Sequence, residues 1–169
     1  MEFKSFLDYL SLEKKYSEKT IVAYKNDLQS FRSFNLKEFS QNSIKNAVYS
    51  QIRSWIVFLV DIGITNKTIN RKISSLNSYY KFLIKTDTIS KNPLSSHKAL
   101  KTKSTIQLPF SESEIDEVLN SINFQDNFEG CRDRLILEIL YSTGIRRQEL
   151  INLELKNIDI NNKTIKVLG

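Results

Sequence analysis

Apolar residues return every three or four positions along most of this chain, the spacing that lines one face of an α-helix. Phe3, Phe6, Leu7 and Leu10 predict a first helix near residues 2–15. Ser17 is the expected N-cap of a second, whose stripe is Ile21, Tyr24, Leu28, Phe31 and Phe34. A third covers roughly 48–62, with Ile52, Trp55, Ile56, Leu59 and Val60, and ends at Gly63. A fourth, with Asn66 as its expected cap, carries Ile69, Ile73, Leu76, Tyr80 and Leu83. Four amphipathic helices with short connections predict a compact bundle over residues 1–95.

The periodicity then stops. Asn92-Pro93-Leu94 closes the bundle, and the polar, basic and aperiodic stretch that follows reads as an exposed linker over residues 96–108. From residue 109 the pattern resumes. Ser111 and Glu114 fit a capping box ahead of a helix with Ile115, Val118, Leu119 and Ile122. A nearly all-apolar helix with Leu135, Ile136, Leu137, Ile139, Leu140 and Tyr141 is expected to be buried. Asn157–Ile160 and Thr164–Val167 flank Asn161-Asn162-Lys163, a β-hairpin pattern. The fold class is therefore mainly α: a four-helix bundle, then an α+β domain over residues 109–169. A two-stranded hairpin is marginal alone, so this second domain is expected to be incomplete.

Charge divides the chain at the same place. Residues 1–108 carry 18 Lys+Arg against 8 Asp+Glu, whereas residues 109–169 carry 7 against 11. A basic module beside an acidic one points to a polyanionic partner for the first. A lysine-rich composition that merely solvates surfaces would look the same by charge alone. No apolar run approaches the ~18–20 residues of a membrane helix. Cys131 is the single cysteine, which rules out an internal disulfide and suits a reducing cytoplasm.

The candidate chemistry lies in Tyr141-Ser-Thr-Gly-Ile-Arg-Arg-Gln-Glu-Leu-Ile-Asn-Leu153. The apolar helix runs into Gly144, a left-handed stop, and Arg146 and Arg147 follow where a helix carrying Leu150, Ile151 and Leu153 should begin. A helix N-terminus already favours anions, so two arginines there make sense if a phosphate completes the site. Simple solvation of both is the competing reading.

Thr143-Gly144-Ile145-Arg146-x-x-Glu149-Leu150-x-x-Leu153 resembles the segment that carries the first catalytic arginine of tyrosine recombinases, particularly their Xer-type branch. Arg132-Asp133-Arg134-Leu135 and Ile158-Asp159-Ile160 fall where that family has similar residues. Phe6-Leu-Asp-Tyr-Leu10, Ser17-x-x-Thr20-x-x-x-Tyr24-x-x-Asp27-Leu28 and Asn70-Arg71-Lys72-Ile73-Ser74-Ser75-Leu76 resemble its SAM-like core-binding domain. The resemblance spans essentially the whole chain.

It implies two domains that clamp duplex DNA, and strand exchange through a 3′-phosphotyrosyl link. It implies a tetramer on DNA, formed with itself or a sister recombinase, and no metal or other cofactor. Arg146 matches the first catalytic arginine, and Glu149, three residues on, is expected to hold it in position. Arg147 departs from the small or apolar residue usual there and is read as an extra phosphate contact or an exposed side chain. On the fourth helix, Arg71, Lys72 and Ser75 are expected to turn away from the core toward DNA, with Thr20 and Lys25 as a second basic edge. His97, in the linker, matches no family position. The family's lysine hairpin, His-x-x-Arg box and late tyrosine find no match, so these 169 residues are expected to bind DNA without cleaving it. A mobile-element integrase, a non-catalytic regulator of recombination sites and a helical interaction protein are the alternatives.

Overall fold

The computed structural model describes residues 3–103, 106 and 108–167, which fall in two compact units, Met1–Thr105 and Ile106–Gly169. The first is built from α1 (Lys4–Leu12), α2 (Glu18–Phe39), α3 (Tyr49–Asp61) and α4 (Asn66–Lys85). The spacing that predicts four helices thus gives four, although Glu2, the expected start of the first, lies outside the described residues. That helix also stops at Leu12, short of residue 15, where Lys15 turns left-handed (φ 52) and Tyr16 N–H bonds back to Leu10 O at 3.0 Å. Ser17 caps α2 as its position predicts, accepting from Thr20 N–H at 3.3 Å. The cap of α4 is Thr65, not Asn66: the Thr65 hydroxyl accepts from Thr68 N–H, which places Asn66 inside the first turn.

The bundle core joins Phe6 and Leu10 of α1, Leu28 and Phe31 of α2, Ile52 and Trp55 of α3, and Ile69, Leu76 and Tyr80 of α4. Phe31 and Trp55 rings meet at 5.0 Å, and Phe6 meets Tyr79 edge-on at 5.4 Å. The α2–α3 connection adds a plug that periodicity does not reveal. Ile44 and Ala47 are buried there, and Tyr80 donates its hydroxyl hydrogen to Ile44 O at 2.9 Å.

The segment after α4 runs back along that helix on an asparagine face. Asn92 donates to Asn77 at 2.8 Å, and Leu94 is buried. Asn70 clasps the Leu100 peptide from both sides, donating to its carbonyl at 2.8 Å and accepting its N–H at 2.9 Å. Asn66, freed from capping, donates to Lys101 O at 2.8 Å. The first half of the stretch read as an exposed linker is therefore strapped to the bundle, because polar residues on α4 satisfy its backbone groups. Ser104, Thr105 and Gln107 lie outside the described residues.

The second unit holds α5 (Glu112–Ser121), α6 (Phe128–Thr143), α7 (Arg147–Ile151), a 3₁₀ turn at Leu155–Asn157, β1 (Ile158–Asp159) and β2 (Thr164–Ile165). The Ser111–Glu114 capping box forms in both directions. The strands pair antiparallel with Ile158 opposite Ile165 and Asp159 opposite Thr164. The turn between them is fixed by Asp159, which accepts from Asn162 N–H at 3.0 Å and from its side-chain amide at 2.8 Å. The expected burial of α6 is not met: Leu135, Leu137 and Tyr141 are exposed, and only Ile136, Ile139 and Leu140 are half-buried. The apolar residues of α6 spread over more than one face, and the described elements of this unit cover only part of them.

Candidate DNA-binding and phosphate site

In the second unit, the α6–α7 corner carries the strongest sequence motif. Gly144 ends α6 in the left-handed region (φ 64), and its N–H bonds to Leu140 O at 3.1 Å, as the glycine predicts. Thr143 tightens the turn by accepting from Ile145 N–H at 3.2 Å. Arg146 then stands as the residue capping α7, and Arg147 is the exposed first residue of that helix. The helix is shorter than its apolar spacing predicts: it ends at Ile151, leaving Leu153 outside. One turn of helix supplies little dipole, so the anion-attracting character of this corner rests on the guanidinium groups themselves.

Glu149 fixes Arg146 at both ends. Its Oε2 accepts from the Arg146 backbone N–H at 2.8 Å, and its Oε1 accepts from Nη1 at 2.8 Å. The backbone bond, then the guanidinium, hold the Glu149 carboxyl below the ordinary range, so it stays ionised at neutral pH. Its side chain is only 14% exposed, whereas that of Arg146 is 82% exposed. The result is a guanidinium tethered at one corner with its other N–H groups facing solvent. Such a group is prepared for an external oxyanion.

In the first unit, the residues expected to face DNA are gathered differently from the expectation. Asp27 of α2 is 2% exposed and takes four hydrogen bonds from α4. Arg71 forks onto it (Nη1 to Oδ2 at 2.5 Å, Nη2 to Oδ1 at 3.0 Å), Lys72 Nζ donates at 3.2 Å, and Ser75 Oγ donates at 2.8 Å. Ser75, at 2% exposure, does not turn away from the core, and Lys72, at 17%, is largely internal. Both are corrected by one fact: a carboxylate buried on α2 must be met by donors, and α4 is the element facing it. Arg71 alone of the three keeps a half-exposed side chain, at 52%.

Asp27 is the centre of this cluster, and periodicity does not single it out. Its signal was an acid placed between Tyr24 and Phe31 on an apolar stripe, where a charge requires partners. Burial pushes its carboxyl up, but the bonds from Arg71, Ser75 and Lys72 together bring it below the ordinary value. Thr20 is half-buried and its hydroxyl is engaged with Ser17 Oγ at 2.9 Å, whereas Lys25 is exposed. Tyr24 packs against Phe6 and Tyr16, and burial raises its phenol. His97 sits on the strap with Nδ1 3.3 Å from the Tyr49 hydroxyl, and burial lowers its pKa; it belongs to the packing of the first unit.

Comparison with known proteins finds a family match in each unit. Residues 3–87 match "Phage integrase, N-terminal SAM-like domain", and residues 109–169 match "Phage integrase family". The chain belongs to the phage integrase family of tyrosine recombinases. It is similar to Tyrosine recombinase XerC of Listeria innocua (39% identical over 170 residues) and of Staphylococcus carnosus (36% over 166 residues). Each match covers 98% of this chain and 55% of the relative, so the chain spans about half the length of these relatives. The Tn1549 transposon integrase, solved in complex with circular intermediate DNA, shares the fold with a TM-score of 0.72 at 20% identity, over 95% of this chain and 52% of that one. No helix among the described residues is long and apolar enough to cross a membrane.

Proposed function

We propose that this chain is the DNA-gripping part of a cytoplasmic site-specific tyrosine recombinase, and that it supplies the first catalytic arginine, Arg146. The observation that carries the reading is the α6–α7 corner, where a family motif coincides with an exposed guanidinium held by Glu149. In the full-length protein a tyrosine would attack the scissile phosphate and leave a 3′-phosphotyrosyl link and a free 5′-hydroxyl. Negative charge then builds on the non-bridging oxygens, and a fixed guanidinium lowers the energy of that state more than that of the substrate. The phosphodiester energy is kept in the covalent link, so the reaction has no need of ATP.

The basic first unit supplies affinity through phosphate neutralisation, with Arg71 and Lys25 as its exposed cations among those singled out. Assembly as a tetramer on two duplexes and a role in resolving chromosome dimers are the favoured biological setting. The identity of 36–39% to XerC relatives supports that setting. Within these 169 residues the one histidine is His97 and the last tyrosine is Tyr141, which supports a role in binding and not in cleavage.

Duplex binding measured against salt tests the reading. The 169-residue chain is expected to bind a duplex at low salt, with log K falling linearly in log salt. No binding at low salt would leave only a helical interaction protein.

A further inference from the structure

We propose that Asp27 is a positioning residue that turns Arg71 from a general counterion into an oriented reader of duplex sequence. The inference rests on the reading that α4 faces DNA, and it goes beyond it by separating the roles of neighbouring cations.

One carboxylate faces two cations, and the four side-chain hydrogen bonds it accepts from Arg71, Lys72 and Ser75 come from a single helix. Lys72 and Ser75 lie mostly or wholly inside and serve to hold the carboxylate still. With Asp27 locked, the fork from Arg71 has one orientation. An arginine has five N–H donors, and the two pointing at Asp27 fix the plane in which the others lie. Those others remain on a half-exposed side chain. A free surface arginine neutralises any phosphate it reaches. An arginine whose plane is set by a buried carboxylate has lost part of its charge to that partner but has kept direction, and direction is what a base edge requires. The cluster therefore contributes less to salt-dependent affinity, and more to discrimination, than its two cations suggest.

The test uses the 169-residue chain and a randomised duplex library, followed by affinities for the enriched duplex and the unselected library. Wild type is expected to enrich a defined motif. Asp27→Asn keeps the size of the side chain and one acceptor oxygen but loses the charge, and Arg71→Lys keeps the cation but loses the fork. Both are expected to lose the same one or two base positions. The ratio of affinities for enriched duplex and unselected library should fall roughly tenfold in each, the scale of one bidentate base contact. A purely structural Asp27 would lower both affinities together and leave the ratio unmoved. Thermal melting of each variant identifies a folding defect, and if Asp27→Asn fails to fold, Arg71→Lys alone decides.

Retention of the wild-type motif by Arg71→Lys, or by a folded Asp27→Asn, overturns the proposal. Loss of different positions in the two variants overturns it as well. A wild-type chain that binds duplexes but enriches no motif sinks the proposal and leaves the DNA reading standing. A chain that binds no duplex removes both.

Discussion

Arg146→Ala in the full-length protein is expected to slow DNA cleavage about 10²–10³-fold, the usual loss when one preorganised donor to a developing oxyanion is removed. Duplex affinity should change far less, because one phosphate contact among many is lost. If Arg146 meets the scissile phosphate as proposed, the effect falls on the chemical step. Glu149 pins the guanidinium through Nη1 and pins the same residue's backbone through its N–H, so the side chain meets its target without first being ordered. Arg146→Lys should recover little, since an ammonium cannot both pair with Glu149 and present a second planar edge. The check is accumulation of covalent complex on a nicked suicide duplex. Wild-type accumulation by Arg146→Ala would remove Arg146 from the reaction.

The second large effect is on folding. Asp27→Ala is expected to cost about 3 kcal/mol, the low end of the range for breaking a buried ion pair. The low end is chosen because Arg71 is half-exposed and can turn to water, whereas Lys72 is left with its ammonium largely inside. The sign of the pH dependence follows from the direction of the shift. The folded-state pKa of Asp27 lies below its ordinary value of 3.8. Its stabilising contribution is therefore complete above about pH 4 to 5 and is lost as pH falls through the lower folded value. Urea unfolding from pH 7 downward should show a steeper acid loss in wild type than in Asp27→Ala. Identical acid profiles would mean the carboxylate carries no such linkage.

Much of this arrangement was legible along the chain because its causes are local. Ser17, Ser111 with Glu114, and Gly144 each act within one turn of helix, and each does in the structure what its neighbours predict. The Arg146–Glu149 pair is local too, three residues apart on one helical turn. What escaped the sequence depends on distant partners. Ser75 and Lys72 look like surface residues until Asp27, more than forty positions earlier, is placed beneath them. Leu100 lies in a stretch without periodicity, yet Asn70 engages both its backbone N–H and its backbone carbonyl. Asn66 is the expected cap of α4, yet Thr65 takes that place, and Asn66 donates instead to the distant Lys101 carbonyl. In the second unit the apolar run of α6 predicts burial, but the exposure of Leu135, Leu137 and Tyr141 depends on what surrounds the helix, which composition does not encode.

Cuts from an iron-chelate reagent tethered at residue 146 would locate that residue on DNA. Cys131 is exposed, so it is first replaced by Ser, and Arg146→Cys then provides the one attachment point. Bound to a duplex enriched from the library, the tethered chain should cut each strand in one short stretch of a few nucleotides, at a fixed place in the motif. Cuts that are absent or evenly scattered while the duplex stays bound would show that residue 146 does not approach a defined phosphate.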